Sequence, residues 1–224
     1  MFVGPKDLIR DETMSANPIL CYVTDRKGVA GGDLPGAIRR AIAAGVDWVQ
    51  IREKDLETRV LAAVVREAVA GAHGTSTRVL VNDRLDVAVT EGAAGVHLGG
   101  ESMPVKDVRE WCSRFAALPE NFLIGASTHS LEAARTAERG GADYIFFGPV
   151  FATPAKLQYG LPQGVARLEE VCRSVKIPVI AIGGITTENA RECFRAGAAG
   201  IAAIRLFQES PDPAVTVRQL RAAL

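Results

Sequence analysis

Short apolar runs and amphipathic stretches alternate along the chain from residue 20 to its end. The first run, Leu20-Cys21-Tyr22-Val23-Thr24, has strand composition and stops at Asp25 and the glycine-bearing loop 28–32. Residues 33–44 then repeat at helical spacing, with Asp33 in the N-cap place and Gly45 after the last turn. Trp48, Val49 and Ile51 begin a second strand that ends in Arg52 and Lys54. In 57–72, Leu61, Val64, Val65, Ala68 and Val69 share one helical face. The same reading predicts further strands at 78–81, 95–98, 122–125, 143–147, 178–182 and 201–204. It places helices around Val87 and Ala88 and at 104–115, 130–139, 165–175, 187–196 and 213–224, with Pro104 in a first turn. A long loop, 148–164, follows the sixth strand.

A repeat supports this count. Gly45, Gly92, Gly141 and Gly197 recur at intervals of about 50 residues, each after a helical stretch and just before a strand. One repeat spans two βα units, so four repeats predict eight strands. Strands alternating with helices imply a parallel sheet, and eight such units imply a closed (β/α)8 TIM barrel. An open doubly wound sheet is the competing architecture, but no G-x-G-x-x-G follows the first strand. Residues 1–18 read as a short N-terminal extension and 19–224 as the one barrel domain.

Composition narrows the function classes. With 26 basic and 26 acidic residues the net charge is zero, so nothing points to a nucleic-acid or membrane surface. Any anion site must be local. Residues 1–18 lack the apolar core of a signal peptide, and no run of about 18 apolar residues exists. Cys21, Cys112, Cys172 and Cys193 are far apart and form no C-x-x-C pair, so a reducing cytoplasm is the expected compartment. A homo-oligomer is compatible with the chain.

On a strand, residues two apart share a side, so Gln50, Arg52 and Lys54 are expected to project together. One amide and two cations suit a phosphate or pyrophosphate. The alternative is a solvated strand end, its charges paired with Glu53 and Asp55. In a barrel the site lies where the strands end. There the sequence places Asn82 and Asp83, residues 99–102, Ser127 and His129, Thr153 and Lys156, Gly183 and Gly184, and Arg205. Asp83 is a hard oxygen ligand suited to Mg²⁺, or a turn aspartate. Lys156 is a third cation for an anion, or a solvated loop charge. Gly183-Gly184 lets backbone amides approach a phosphate, or serves the turn alone. His129 is an acid–base candidate or a helix-start hydrogen-bonding group. His97 lies inside a strand and reads as a packed core histidine; His73 reads as surface.

These motifs resemble the thiamine phosphate synthase and TenI superfamily of barrels. The matching pieces are Gln50-Ile51-Arg52-Glu53-Lys54, Val81-Asn82-Asp83-Arg84, Gly95-Val96-His97-Leu98-Gly99 and Gly125-Ala126-Ser127-Thr128-His129-Ser130. Ala142-Asp143-Tyr144, Gly148-Pro149-Val150-Phe151 with Thr153 and Lys156, Ala181-Ile182-Gly183-Gly184-Ile185 and Gly197-Ala198-Ala199-Gly200 complete the set, covering about residues 19–207. The resemblance implies a transferase that joins a hydroxymethylpyrimidine pyrophosphate to a thiazole phosphate and releases pyrophosphate. It implies that Arg52, Lys54, Asn82 and Lys156 hold the pyrophosphate, with Mg²⁺ on Asp83. Gln50 would meet the aminopyrimidine and Ser127 would sit near the leaving group. Thr153, Gly184 and the backbone at Ile204 and Arg205 would hold the thiazole phosphate, beside Gly183.

Three positions depart from the synthase pattern. Ser102 stands where a second carboxylate ligand for Mg²⁺ is expected, Ala155 replaces a hydroxyl residue before Lys156, and Arg205 replaces a small residue. The loss at Ser102 is reminiscent of the TenI branch, which aromatises a thiazole phosphate tautomer and needs an acid–base group, here His129. A non-catalytic phosphate-ligand module is the third reading. The set Gln50, Arg52, Lys54, Asn82, Asp83 and Lys156 favours the synthase, because a tautomerase has no obvious use for those cations.

Overall fold

Gly45, Gly92, Gly141 and Gly197 have φ of +84°, +69°, +90° and +91°, the left-handed geometry that stops a helix and turns the chain back. The recurring glycine of the sequence is therefore the device that returns each helix to the sheet. The computed structural model describes residues 18–115, 118–119, 121–153 and 161–222.

Eight parallel strands close in chain order: β1 (Ile19–Val23), β2 (Trp48–Ile51), β3 (Arg78–Asn82), β4 (Gly95–Leu98), β5 (Leu123–Thr128), β6 (Tyr144–Phe147), β7 (Val179–Ile182) and β8 (Gly200–Ala203). Closure is made by β8 against β1, in the register Ile19↔Gly200 to Tyr22↔Ala203. The helices are α1 (Leu34–Ala43), α2 (Thr58–Ala72), α3 (Leu85–Thr90), α4 (Val105–Ser113), α5 (Leu131–Arg139), α6 (Gly164–Ser174), α7 (Ala190–Arg195), α8 (Arg205–Gln208) and α9 (Pro213–Ala222). Asp33 caps α1 as expected, accepting a hydrogen bond from Gly36 N–H at 2.8 Å. The expected (β/α)8 barrel is the observed one.

Two apolar layers hold it. Outward strand positions such as Leu20, Val49, Val81, Val96, Ile124, Ile145 and Ile201 pack under the helices. Alternate positions fill the barrel: Cys21, Val23, Trp48, Leu80, Leu123, Tyr144, Phe146, Ile180 and Ala202. Trp48 and Tyr144 meet across this interior with ring centroids 4.6 Å apart. Gly125 is what admits Tyr144, since a Cβ there would lie 2.1 Å from its ring.

Several element boundaries differ from the sequence expectation, β2 among them: it stops at Ile51, so Arg52 and Lys54 follow the strand instead of ending it. β5 continues to Thr128, because β4 and β6 flank Gly125, Ala126 and Ser127 and supply ladder partners that override their weak strand propensity. Ser127 therefore sits within a strand, not after it. β8 stops at Ala203, and Ile204 instead stands as the N-cap of the short helix α8. Helix α7 starts at Ala190, since Asn189 Oδ1 accepts from Thr186 N–H at 2.8 Å and holds the preceding residues in a turn. Among the described residues no helix is long and apolar enough to cross a membrane.

Candidate active site

Gln50 is inward on β2, Asn82 inward at the end of β3, and the two are joined by Gln50 Nε2 donating to Asn82 Oδ1 at 2.9 Å. Asn82 Nδ2 in turn donates to Asp83 Oδ2 at 2.6 Å. A carboxylate only accepts, so the chain has one direction: Asp83 draws the Asn82 amide nitrogen, and Asn82 oxygen draws the Gln50 nitrogen. Gln50 Oε1 is left turned elsewhere, buried, with no hydrogen-bond partner among the described residues. A buried acceptor without a donor is costly, and an amino group of a ligand would satisfy it.

Asp83 follows β3 with φ of 60°, a conformation in which Asp and Asn are tolerated better than most residues. Its N–H donates to His97 O at 2.9 Å, which binds the turn to β4. Gly99 N–H donates to Oδ1 at 2.9 Å, and Ser102 Oγ donates to the same oxygen. Lys54 Nζ stands 3.8 Å from Oδ2. Partial burial pushes the Asp83 carboxyl upward, but the hydrogen bonds from Ser102 and Gly99 and the charge of Lys54 outweigh it. The group is held below the usual carboxylate value. Ser102, placed in the sequence at the metal position, thus holds the carboxylate that would meet the metal.

The charges that follow β2 separate cleanly. Glu53 is buried and accepts from Thr24 Oγ1 at 2.7 Å and from Arg26 N–H at 3.1 Å. Asp55 pairs with Arg26 at 3.1 Å and Lys27 at 2.9 Å. Neither carboxylate neutralises Arg52 or Lys54, so the alternative of a self-paired strand end does not hold. Arg52 N–H donates to Thr24 Oγ1 at 2.9 Å. The charges of Arg52 and Asp83 act on His97 in opposite senses, Asp83 raising its pKa and Arg52 lowering it. Lys54, Asn82 and Asp83 meet at the barrel rim, and Arg52 directly follows β2. Lys156, with Ala155, lies outside the described residues.

His97 is the packed histidine expected, 1% exposed, with its ring 4.2 Å from that of Phe146. Its role in linking Ser127 and Tyr144 was not legible, although strand alternation puts His97 and Ser127 on the same inward face. Burial lowers the His97 pKa from 6.5 to about 3, so the folded protein holds the ring neutral. The unfolded chain protonates it below its ordinary value. This contribution to stability is present above about pH 6.5 and is lost as pH falls toward 3, at about 1.4 kcal/mol per pH unit. We predict that urea unfolding of the His97→Gln variant shows a shallower loss of stability between these limits; equal slopes would contradict the assignment.

His129 is exposed at the rim and its Nδ1 faces Gly148 O. A carbonyl accepts only, so Nδ1 carries a proton, and in the neutral ring Nε2 is the acceptor. Gly183 and Gly184 have φ of +97° and +68°; a Cβ on Gly184 would meet Ala152 O at 2.6 Å. These glycines thus let the loop after β6 lie on the loop after β7, with Phe151 N–H donating to Gly183 O at 3.0 Å. Thr153 lies on the same β6 loop, half-buried. The next strand, β8, runs parallel to β7, so Ile204 and Arg205 leave the barrel on the same side, with Arg205 exposed.

No cluster of three or more His, Cys, Asp or Glu side chains suited to a metal occurs among the described residues. One carboxylate with a supporting hydroxyl fits Mg²⁺ only where substrate oxygens and water complete its shell, which is how that ion often binds phosphates.

Residues 20–207 match the family described as thiamine monophosphate synthase. A thiamine-phosphate synthase of Methanocella arvoryzae is 40% identical over 204 residues, covering 91% of this chain and 93% of the relative. That of Albidiferax ferrireducens is 39% identical over 222 residues, covering 98% and 97%. The solved thiamine phosphate pyrophosphorylase of Pyrococcus furiosus superposes with a TM-score of 0.79 at 35% identity, covering 91% of this chain and 94% of that one. By that family match and these relatives, the chain belongs to the thiamine monophosphate synthase family.

Proposed function

We infer that this protein is a thiamine phosphate synthase, a transferase that joins hydroxymethylpyrimidine pyrophosphate to thiazole phosphate and releases pyrophosphate. The observation that carries the reading is the unpartnered Gln50 Oε1, fixed as an acceptor within reach of a rim that bears Arg52, Lys54 and Asp83. One acceptor for a ring amine beside cations that Glu53 and Asp55 leave unpaired suits an aminopyrimidine pyrophosphate.

In the reaction, the bond from the pyrimidine methylene to the pyrophosphate oxygen breaks, that oxygen keeps the electron pair, and the thiazole nitrogen bonds to the methylene carbon. The barrier falls where the leaving charge is met by fixed donors. Arg52 and Lys54 supply cations, Asn82 an amide held by its neighbours, and Lys156 a further cation. Ser127 faces the leaving group. Mg²⁺ bound at Asp83, supported by Ser102, would neutralise part of the pyrophosphate charge. Thr153, Gly183, Gly184 and the backbone at Ile204 and Arg205 hold the thiazole phosphate.

A second reading, TenI-like tautomerisation, is favoured by the Nε2 of His129, free to act as a base, and by the single carboxylate at the metal position. The two are separated by incubating the protein with both substrates and Mg²⁺ and following pyrophosphate and thiamine phosphate together. Stoichiometric appearance of both is expected.

A further inference from the structure

We propose that Tyr144 and His97 are positioning residues that fix the hydroxyl of Ser127 as a hydrogen-bond donor toward the pocket. His97 Nδ1 lies 3.1 Å from Tyr144 Oη, and His97 Nε2 lies 2.9 Å from Ser127 Oγ. Tyr144 and His97 are 0% and 1% exposed, inside the barrel, while Ser127 is half-buried near its mouth. The arrangement could run in either direction, and the buried phenol decides which.

The only hydrogen-bond partner of the Tyr144 hydroxyl among the described residues is His97. Were Nδ1 protonated, that hydroxyl would have to accept, and its own proton would be buried without an acceptor. An unmade buried hydrogen bond is the costlier choice. Tyr144 therefore donates to Nδ1. A neutral imidazole then carries its proton on Nε2 and donates to Ser127 Oγ. Burial keeps the ring neutral, with the charges of Asp83 and Arg52 facing it in opposition, and pushes the Tyr144 phenol well above its ordinary value.

The Ser127 hydroxyl has no other hydrogen-bond partner among the described residues. With its oxygen accepting from His97, its proton is free to point into the pocket. Ser127 is thus set up to donate to a developing oxyanion, and His97 is not a base that activates it as a nucleophile. Resting on the reading above, that oxyanion is the leaving pyrophosphate.

Two measurements test this. In the full-length protein labelled at histidine nitrogens, His97 is the one of three histidines that is deeply buried, and its resonances are assigned by their loss in His97→Gln. Its nitrogen shifts should show Nδ1 unprotonated and Nε2 protonated; a protonated Nδ1 would overturn the proposal whether or not the protein makes thiamine phosphate. The second arm is a double-mutant cycle. Tyr144→Phe, which removes only the hydroxyl, should lower kcat about tenfold with KM for thiazole phosphate unchanged. In a Ser127→Ala background the same change should alter kcat less than about twofold. Equal losses in both backgrounds would show that Tyr144 does not act through Ser127. Absence of turnover even in the wild type would remove the synthase reading and leave the tautomer measurement to decide.

Discussion

Asp83→Asn lowers kcat by about 10²–10³-fold while leaving the fold in place. The substitution separates charge from shape. Asp83 sits at φ of 60°, and asparagine accepts that conformation, whereas alanine would add backbone strain. What is lost is the carboxylate that collects Ser102, Gly99, Asn82 and Lys54. Asparagine can also turn its own amide nitrogen toward Asn82, which removes the acceptor that sets the Gln50 direction. The Mg²⁺ requirement should rise together with the loss of kcat, and thermal unfolding should move by only a few degrees. A variant with wild-type kcat would remove Asp83 from the chemistry. Because the carboxyl is held below its usual value, its stabilising interactions are present above about pH 4 and fail only as pH drops further. Activity near neutrality should therefore show no step from this group.

Arg52→Ala costs about 10²-fold in kcat/KM for the pyrimidine substrate. Its adjacent carboxylates are committed elsewhere, Glu53 to Thr24 and Arg26, and Asp55 to Arg26 and Lys27. Arg52 has no carboxylate partner among the described residues and is half-buried where β2 ends. Arg52→Lys keeps the charge but loses the planar fork, so partial rescue is expected, with most of the remaining defect in kcat. Steady-state kinetics with varied pyrimidine pyrophosphate would decide; full activity in Arg52→Ala would mean that the neighbouring cations suffice.

Much of this was legible in the chain because the signals were local. Helix-ending glycines at 45, 92, 141 and 197 set the repeat, whereas β2 ends at Ile51, so Gln50 is on the strand and Arg52 and Lys54 follow it in the loop rather than by strand alternation. What escaped depended on contacts between distant segments. The extension of β5 to Thr128 comes from its two neighbours in the sheet, not from Gly125-Ala126-Ser127. Ser102 looked like a missing metal ligand, and only the geometry shows its hydroxyl braced against Asp83 and Gly99. The direction of the Gln50–Asn82–Asp83 chain likewise needed all three side chains in place.

Pyrophosphate release across a Mg²⁺ titration, for wild type and Ser102→Asp with both substrates present, tests the central claim most directly. Ser102→Asp brings a second carboxylate beside Asp83 and so a second oxygen ligand for the cation. The account predicts release matched by thiamine phosphate in both proteins, with the variant saturating at lower Mg²⁺. No release from either protein at any Mg²⁺ concentration, alongside thiazole aromatisation that disappears in His129→Asn, would contradict it.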